Sequence, residues 1–231
     1  MCGRYVLTKG GQWILDYFGI PEARADEGFR DWEARYNIAP TTMVPGLYRT
    51  DADTRAGLFK WGLLPFWAGI KDGFKTINAR SEEIHQKASF KNPIQKRRCL
   101  LPADGYYEWK GEKGNKQPFY FSRPNGEPLT FAGVWESWKP KGSTDNPILT
   151  CSVLTTAPNT FGAQYHDRMP VVIHPEHRDY WMDPNVQNVD DIRELFGAVP
   201  EDYLIATAVD KAVGNVKTQG AQCIEPMTSL F

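Results

Sequence analysis

A chain of 231 residues, 41% hydrophobic and 13% aromatic, with 28 acidic against 27 basic side chains, has enough apolar mass for one large core and falls where one domain is the expected organisation. No apolar run approaches a membrane span, and Arg4, Lys9 and Gln12 interrupt the opening residues, which argues against a signal peptide. A soluble, cytoplasmic protein is expected, nucleoid-associated if the source is bacterial.

Gly and Pro punctuate the chain about every ten to fifteen residues, and the runs between them are rich in aromatic and β-branched side chains, as strands are. In chain order, apolar spacing predicts a helix over Gln12–Phe18 and another around His85. Strands are predicted in LLPADGYYEWK (100–110), QPFYFS (117–122), PLTFAGVWESW (128–138) and NPILTCSVLTT (146–156). A hairpin tip is expected at Lys113–Gln117 and a surface turn at Lys139–Asn146, neither marking a domain boundary. Helices follow over Pro175–Met182, with Pro in its first turn, and over Val189–Phe196. The reading is a single α+β domain over residues 1–231 with a β-rich core and no repeats.

The net charge of −1 conceals an asymmetry: residues 51–99 hold ten Lys and Arg against five Asp and Glu, whereas residues 151–231 hold five against eleven. A basic segment can lie along a nucleic-acid backbone, although a solvated surface is the ordinary reading of such an excess. Four cysteines, at 2, 99, 151 and 223, show no CxxC spacing and no pairing cue, which suits reduced thiols better than a zinc ribbon or a disulfide framework. Cys99 and Cys151, flanked by apolar strand residues, are expected as small buried hydrophobes.

Cys2 stands apart. An initiator Met is generally removed when the second residue is small, and loss of Met1 leaves an α-amine and a thiol on one carbon skeleton. The reference pKa of that amine is about 7.7–8.0, well below about 10.4 for lysine, so a useful fraction is nucleophilic at neutral pH. The amine forms an imine with an aldehyde, and the thiol closes onto the imine carbon to give a thiazolidine. The terminus alone leaves open a cysteine in a frayed end with no chemical role.

Seven segments bear on that choice: MCGRY at 1–5, RYNIAP at 35–40, WGLLPFW at 61–67, INARSE at 77–82, RRCLLPADGYYEW at 97–109, HDRMP at 166–170 and GNVK at 214–217. Together, in this order along nearly the whole chain, they resemble the SOS response-associated peptidase (SRAP) family. The resemblance implies a barrel-like core with a few peripheral helices. It also implies a DNA-repair protein that crosslinks through Cys2 to abasic sites in single-stranded DNA, after autocatalytic removal of Met1, and so shields the lesion; lyase-type activity is a further expectation. A monomer is expected, with no cofactor, no metal and no membrane partner.

Residue by residue, the resemblance implies that Cys2 is the crosslinking and self-processing nucleophile and that Asn78 holds the terminus and the opened sugar through its amide. Glu108 matches the family's catalytic glutamate, and its neighbours Tyr106, Tyr107 and Trp109 suggest a desolvated carboxylate with a raised pKa, suited to accepting and returning protons. His166, alone among the four histidines in lying within a family motif, is expected to move protons during ring opening and imine formation. Arg4 and Arg80 match positions that hold phosphates, with Arg168 and Lys217 weaker candidates for the same groove. Pro40, Phe66 and Trp67 look like a stacking or wedge surface, although Trp at such spacing is more often plain core. His174 and His177 have a spacing that suits a metal but no third ligand nearby. Two departures from the family pattern stand out: Ala68 where a second aromatic is usual, and Tyr5 where Phe is common.

Two other classes remain open at this point. One is a thiol peptidase or amidase that turns over peptides in trans with an N-terminal Cys nucleophile. The other is a noncatalytic single-stranded DNA binding module in which Cys2 is dispensable.

Overall fold

The computed structural model describes residues 2–50, 53–112 and 114–227, and its strands fall into two sheets. The first half of the chain supplies β1 (Tyr5–Leu7), α1 (Gly11–Phe18), β2 (Arg35–Ile38), β3 (Met43–Arg49), β4 (Thr54–Trp61), β5 (Asn78–Arg80), α2 (Lys91–Lys96), β6 (Arg98–Ala103) and β7 (Gly105–Lys110). The second half supplies β8 (Gln117–Ser122), β9 (Leu129–Trp138), β10 (Ile148–Thr156), α3 (Thr160–Ala163), β11 (Met169–Pro170), α4 (Arg178–Met182) and β12 (Ile205–Ala208). One sheet runs β12-β8-β7-β1-β2; the other runs β11-β10-β4-β3-β6-β9, and β9 pairs back onto β10. Strands β10, β4, β3, β6 and β9 therefore close into a barrel, with β5 and β11 attached along β10. The architecture is α+β with a β-rich, barrel-like core, as expected from the sequence.

The barrel fills with large side chains from alternate strand positions: Phe59, Trp61, Leu101, Phe131, Cys151 and Val153 are all buried. Gly46 on β3 makes room for them, since a Cβ there would lie 2.9 Å from both Leu101 and the Phe59 ring. Cys99 and Cys151 are fully buried, as small hydrophobes are.

The segment LLPADGYYEWK, read above as one strand, breaks at Asp104 into β6, in the barrel, and β7, in the other sheet. Asp104 Oδ2 accepts from Thr8 N at 2.6 Å and from Thr8 Oγ1 at 2.5 Å, and its own N–H donates to Val6 O at 2.8 Å. The next residue has no room for a side chain, because a Cβ on Gly105 would come within 2.2 Å of Phe121 O. This corner carries the chain between sheets and lays β7 beside β1.

Helix α1 covers the predicted span and ends at Gly19, whose φ of 63° is the left-handed conformation that closes a helix without strain. Around His85 there is only a 3-10 turn (Ser81–Glu83) before α2, and Val189–Phe196 is 3-10 rather than α. The predicted helix over Pro175–Met182 is a 3-10 turn (Pro175–His177) running into α4. Residues 111–112 and 114–116 form the described part of the tip between β7 and β8; Lys113 lies outside the described residues. No helix among the described residues is long and apolar enough to cross a membrane.

Candidate active site

The N-terminal segment enters the five-stranded sheet between β7 and β2. Tyr5 pairs with Tyr106 and Ile38, and Tyr107 N donates to Arg4 O at 2.9 Å. Continuing that antiparallel register by two residues places Gly3 across from Glu108. Cys2 is fully buried there, and Asn78 Nδ2 donates to its carbonyl oxygen at 2.8 Å. Asn78 opens β5, which is held parallel to β10 with Asn78 opposite Val153. His166 follows α3, where its N–H donates to Gly162 O at 3.1 Å, and its Nε2 lies 4.0 Å from Glu108 Oε2. Residues far apart in sequence thus meet: Cys2 with Asn78, and Glu108 with His166.

The setting of Glu108 differs from the aromatic surround inferred from its neighbours. Strand alternation turns Tyr107 and Trp109 to the opposite face of β7, where Tyr107 packs with Val6 and Tyr120. Only Tyr106 shares the Glu108 face, stacked on Phe121 at 4.9 Å. What desolvates Glu108, which is 4% exposed, is its central strand, flanked by β1 and β8. Burial raises its pKa to about 7. A carboxyl group at that value holds and releases a proton with equal ease near neutral pH.

Burial also lowers the pKa of His166, so its ring is neutral at pH 7. The Arg168 N–H approaches Nδ1 at 3.0 Å, and Nε2 is the ring nitrogen on the Glu108 side. The Asp167 carboxylate, 2.8 Å from the same Nδ1, pulls toward the charged ring, but desolvation is the larger effect. The Cys2 thiol is pushed upward by burial and, next, by the charge of Glu108, so it rests as S–H.

Of the expected phosphate ligands, Arg80 and Lys217 are exposed. Arg4 is engaged within the protein: Nη1 donates to Asn37 Oδ1 at 2.7 Å and to Val213 O at 3.1 Å, and its guanidinium lies over the Trp109 ring at 5.6 Å. Asn37 in turn donates to the carbonyls of Val213, Asn215 and Thr218, which clips the GNVK loop to β2. Arg168 makes a two-pronged contact with Glu82, both bonds at 2.8 Å, and donates to Thr155 O at 2.5 Å. That contact ties the turn carrying His166 to the turn that follows Arg80 at the end of β5. Phe66 and Trp67 are exposed, while Pro40 is half-buried at the foot of their loop, where Thr41 N donates to Trp61 O at 2.8 Å.

Sequence reasoning did not single out Asn37, Glu82 or Asp167. Each is a polar residue inside a quoted motif, RYNIAP, INARSE and HDRMP, and that placement was the available signal. Among the described residues no three His, Cys, Asp or Glu side chains gather as metal ligands.

Residues 1–216 match the family described as "SOS response associated peptidase (SRAP)". The chain is similar to the abasic site processing protein YoqW of Bacillus subtilis, 34% identical over 97% of this chain and 99% of that protein. Similarity to YedK of Escherichia coli, also named an abasic site processing protein, is 32% over 98% of this chain and 100% of that one. A crystal structure from Bacteroides thetaiotaomicron shares the fold with a TM-score of 0.86 at 23% identity, covering 98% of this chain and 100% of that chain.

Proposed function

This chain belongs to the SOS response-associated peptidase family, and from that premise we propose that it captures abasic sites in single-stranded DNA as a covalent Cys2 adduct. The observation that carries the reading is the hydrogen bond from Asn78 to the Cys2 carbonyl, near a carboxyl group pushed up to about 7 by burial. Relatives named abasic site processing proteins, aligned over nearly the full chain, supply the substrate class.

Removal of Met1, which lies outside the described residues, frees the Cys2 amine. The amine attacks the aldehyde carbon of the ring-opened sugar to give a carbinolamine. Glu108 accepts the amine proton and returns it to the departing hydroxyl, so that water leaves and an imine remains. The thiol then adds across the C=N bond: sulfur bonds to carbon, and the S–H proton passes to nitrogen. One water is lost overall. A thiol resting as S–H favours this order, with the amine first and sulfur second. The neutral ring of His166, its Nε2 4.0 Å from Glu108 Oε2, is placed to take up a proton from Glu108 and return it as the imidazolium. Asn78 holds the terminus and the opened sugar. Arg80 and Lys217 neutralise phosphates, and Arg4 and Arg168 add positive field from positions already braced inside the protein.

The test is an intact mass of untagged protein after incubation with a single-stranded oligonucleotide carrying one abasic site, beside a matched intact strand. The expected species is protein lacking Met1 plus DNA minus one water, with peptide mapping to Cys2. Free protein alone, with Met1 already gone, would refute capture and favour the peptidase reading.

A further inference from the structure

A reactive group at a chain end needs a tie, because the first residues of a domain fray unless something holds them down. Strand β1 is only three residues long. Its alternation sends Tyr5 and Leu7 into the main core, while Val6 joins Tyr107, Val209 and Val213 on the opposite face of the sheet. Arg4 shares the Val6 face, where its guanidinium reaches Val213 O at 3.1 Å. Alternation would put Cys2 on that face as well, yet Cys2 is buried in the main core with Tyr5 and Trp61. The chain therefore turns at Gly3, and the sheet holds it only as far as Arg4, whose carbonyl accepts from Tyr107 N at 2.9 Å. The Arg4 N–H in turn donates to the Cys2 sulfur. Arg4 is the last point of the sheet before the reactive residue.

What fixes the Arg4 side chain is Asn37 on β2, which is 2% exposed. Its Nδ2 faces the carbonyl oxygens of Val213, Asn215 and Thr218 at 3.0, 3.0 and 3.1 Å, and its Oδ1 accepts from Arg4 Nη1 at 2.7 Å. With three acceptors on one side, the amide cannot flip, so the oxygen is committed to Arg4. The three carbonyls belong to a strap, residues 209–224, laid over the face that carries Val6 and Tyr107. The strap has its own anchors. Val209 N donates to Pro118 O at 3.1 Å and Lys211 Nζ to Asn115 Oδ1 at 2.8 Å. Gln219 closes the edge of β2, accepting from Tyr36 N at 3.0 Å and donating to Asn37 O at 3.1 Å. A buried amide is therefore not needed merely to hold the strap down. What Asn37 adds is an acceptor of fixed polarity facing Arg4.

We propose that Asn37 is a positioning residue for the Cys2 reaction: it orients Arg4, and Arg4 holds the amine and thiol of Cys2 beside Asn78 and Glu108. The proposal rests on the capture reading above. It adds a residue away from the reacting atoms, on β2 and under the strap, as a determinant of the rate.

The test compares two variants, each lacking Met1, that lose the same donors to the strap. Asn37→Ala also loses the acceptor for Arg4, whereas Asn37→Asp keeps it. Two rates are read: adduct formation at saturating abasic single strand, and alkylation of each cysteine by iodoacetamide, assigned by peptide mapping. Asn37→Ala should slow the saturated adduct rate about tenfold or more, because misplacing a reacting group by about an ångström costs up to about a hundredfold. Its affinity for a strand with an unreactive tetrahydrofuran at the lesion should stay within about twofold of the parent, the split expected of a group that acts on the chemical step. Alkylation of Cys2 should quicken by about tenfold while Cys99 and Cys151 stay protected, as local release of the terminus requires. Asn37→Asp should keep both rates near those of the parent. Asn37→Ser, too short to reach Arg4, carries the same expectation as Asn37→Ala and replaces it if the alanine protein does not fold. A merely structural role would lower the reacting fraction, leave the rate of that fraction unchanged and expose all three cysteines together. That result, equal slowing by Asn37→Ala and Asn37→Asp, or parent rates in both would overturn the proposal. Alkylation needs no DNA, so if it behaves as expected while the parent forms no adduct, the capture reading alone has failed.

Discussion

Glu108→Gln should stabilise the protein at pH 8 while slowing its chemistry. The carboxyl pKa moves from a reference of 4.5 to about 7 in the folded state, chiefly through desolvation. Below pH 4.5 the side chain is protonated both folded and unfolded, so its ionisation costs the fold nothing. Between pH 4.5 and 7 the unfolded chain releases the proton and the folded one retains it, and stability falls as pH rises. Above pH 7 both states are ionised and the full penalty is in place. At about 1.4 kcal/mol per pH unit, it amounts to ~3 kcal/mol. Glutamine escapes it, so the stability difference between variant and parent should grow by that amount from pH 4.5 to 8. At 2–4 °C in Tm per kcal/mol for a domain of this size, the gain is several degrees or more. Thermal denaturation of both proteins at pH 5, 6, 7 and 8, with adduct formation timed in parallel, checks the sign and the magnitude. A stability difference that stays flat across this range would refute the raised pKa, and an unchanged adduct rate would remove Glu108 from the proton shuttle.

Cys2→Ser should abolish the stable ring but leave an imine that borohydride traps as a permanent secondary amine; a thermally stable adduct without reductant would mean that sulfur is not the second nucleophile. Arg80→Ala should weaken binding to all single strands alike and reduce the slope of log affinity against log salt by about 0.7, the value for one phosphate contact. An unchanged slope would take Arg80 out of the backbone track. Gly105→Ala forces a Cβ toward Phe121 O at the corner between the sheets, and should cost about 3 kcal/mol in urea denaturation. A loss under 1 kcal/mol would show that the corner relaxes freely.

Much of this protein is legible in its chain because the relevant physics is local. A thiol and an amine on residue 2 define a reagent whatever the fold, once Met1 is gone. Short runs rich in aromatic and β-branched residues, with turn residues between them, identified β7 to β10, because such side chains suit a strand packed into the core. Motifs in a consistent order identified the family and, with it, the barrel. The tertiary structure decided what depends on partners distant in sequence. LLPADGYYEWK reads as one strand although Asp104-Gly105 is a local turn signal; that this turn carries the chain from one sheet to the other depends on Thr8 and Phe121, which only folding brings there. The desolvation of Glu108 comes from the strands on either side rather than from the aromatic residues beside it in sequence, two of which face the other way. Arg168 and Arg4 read as free cations, but Glu82 and Asn37 meet them only after folding. That Phe66 and Trp67 stand exposed rather than packed as plain core was also decided by the tertiary structure, because β4 and β5 share β10 as a neighbour and the chain between them leaves the barrel, a constraint of strand pairing on which side-chain periodicity is silent.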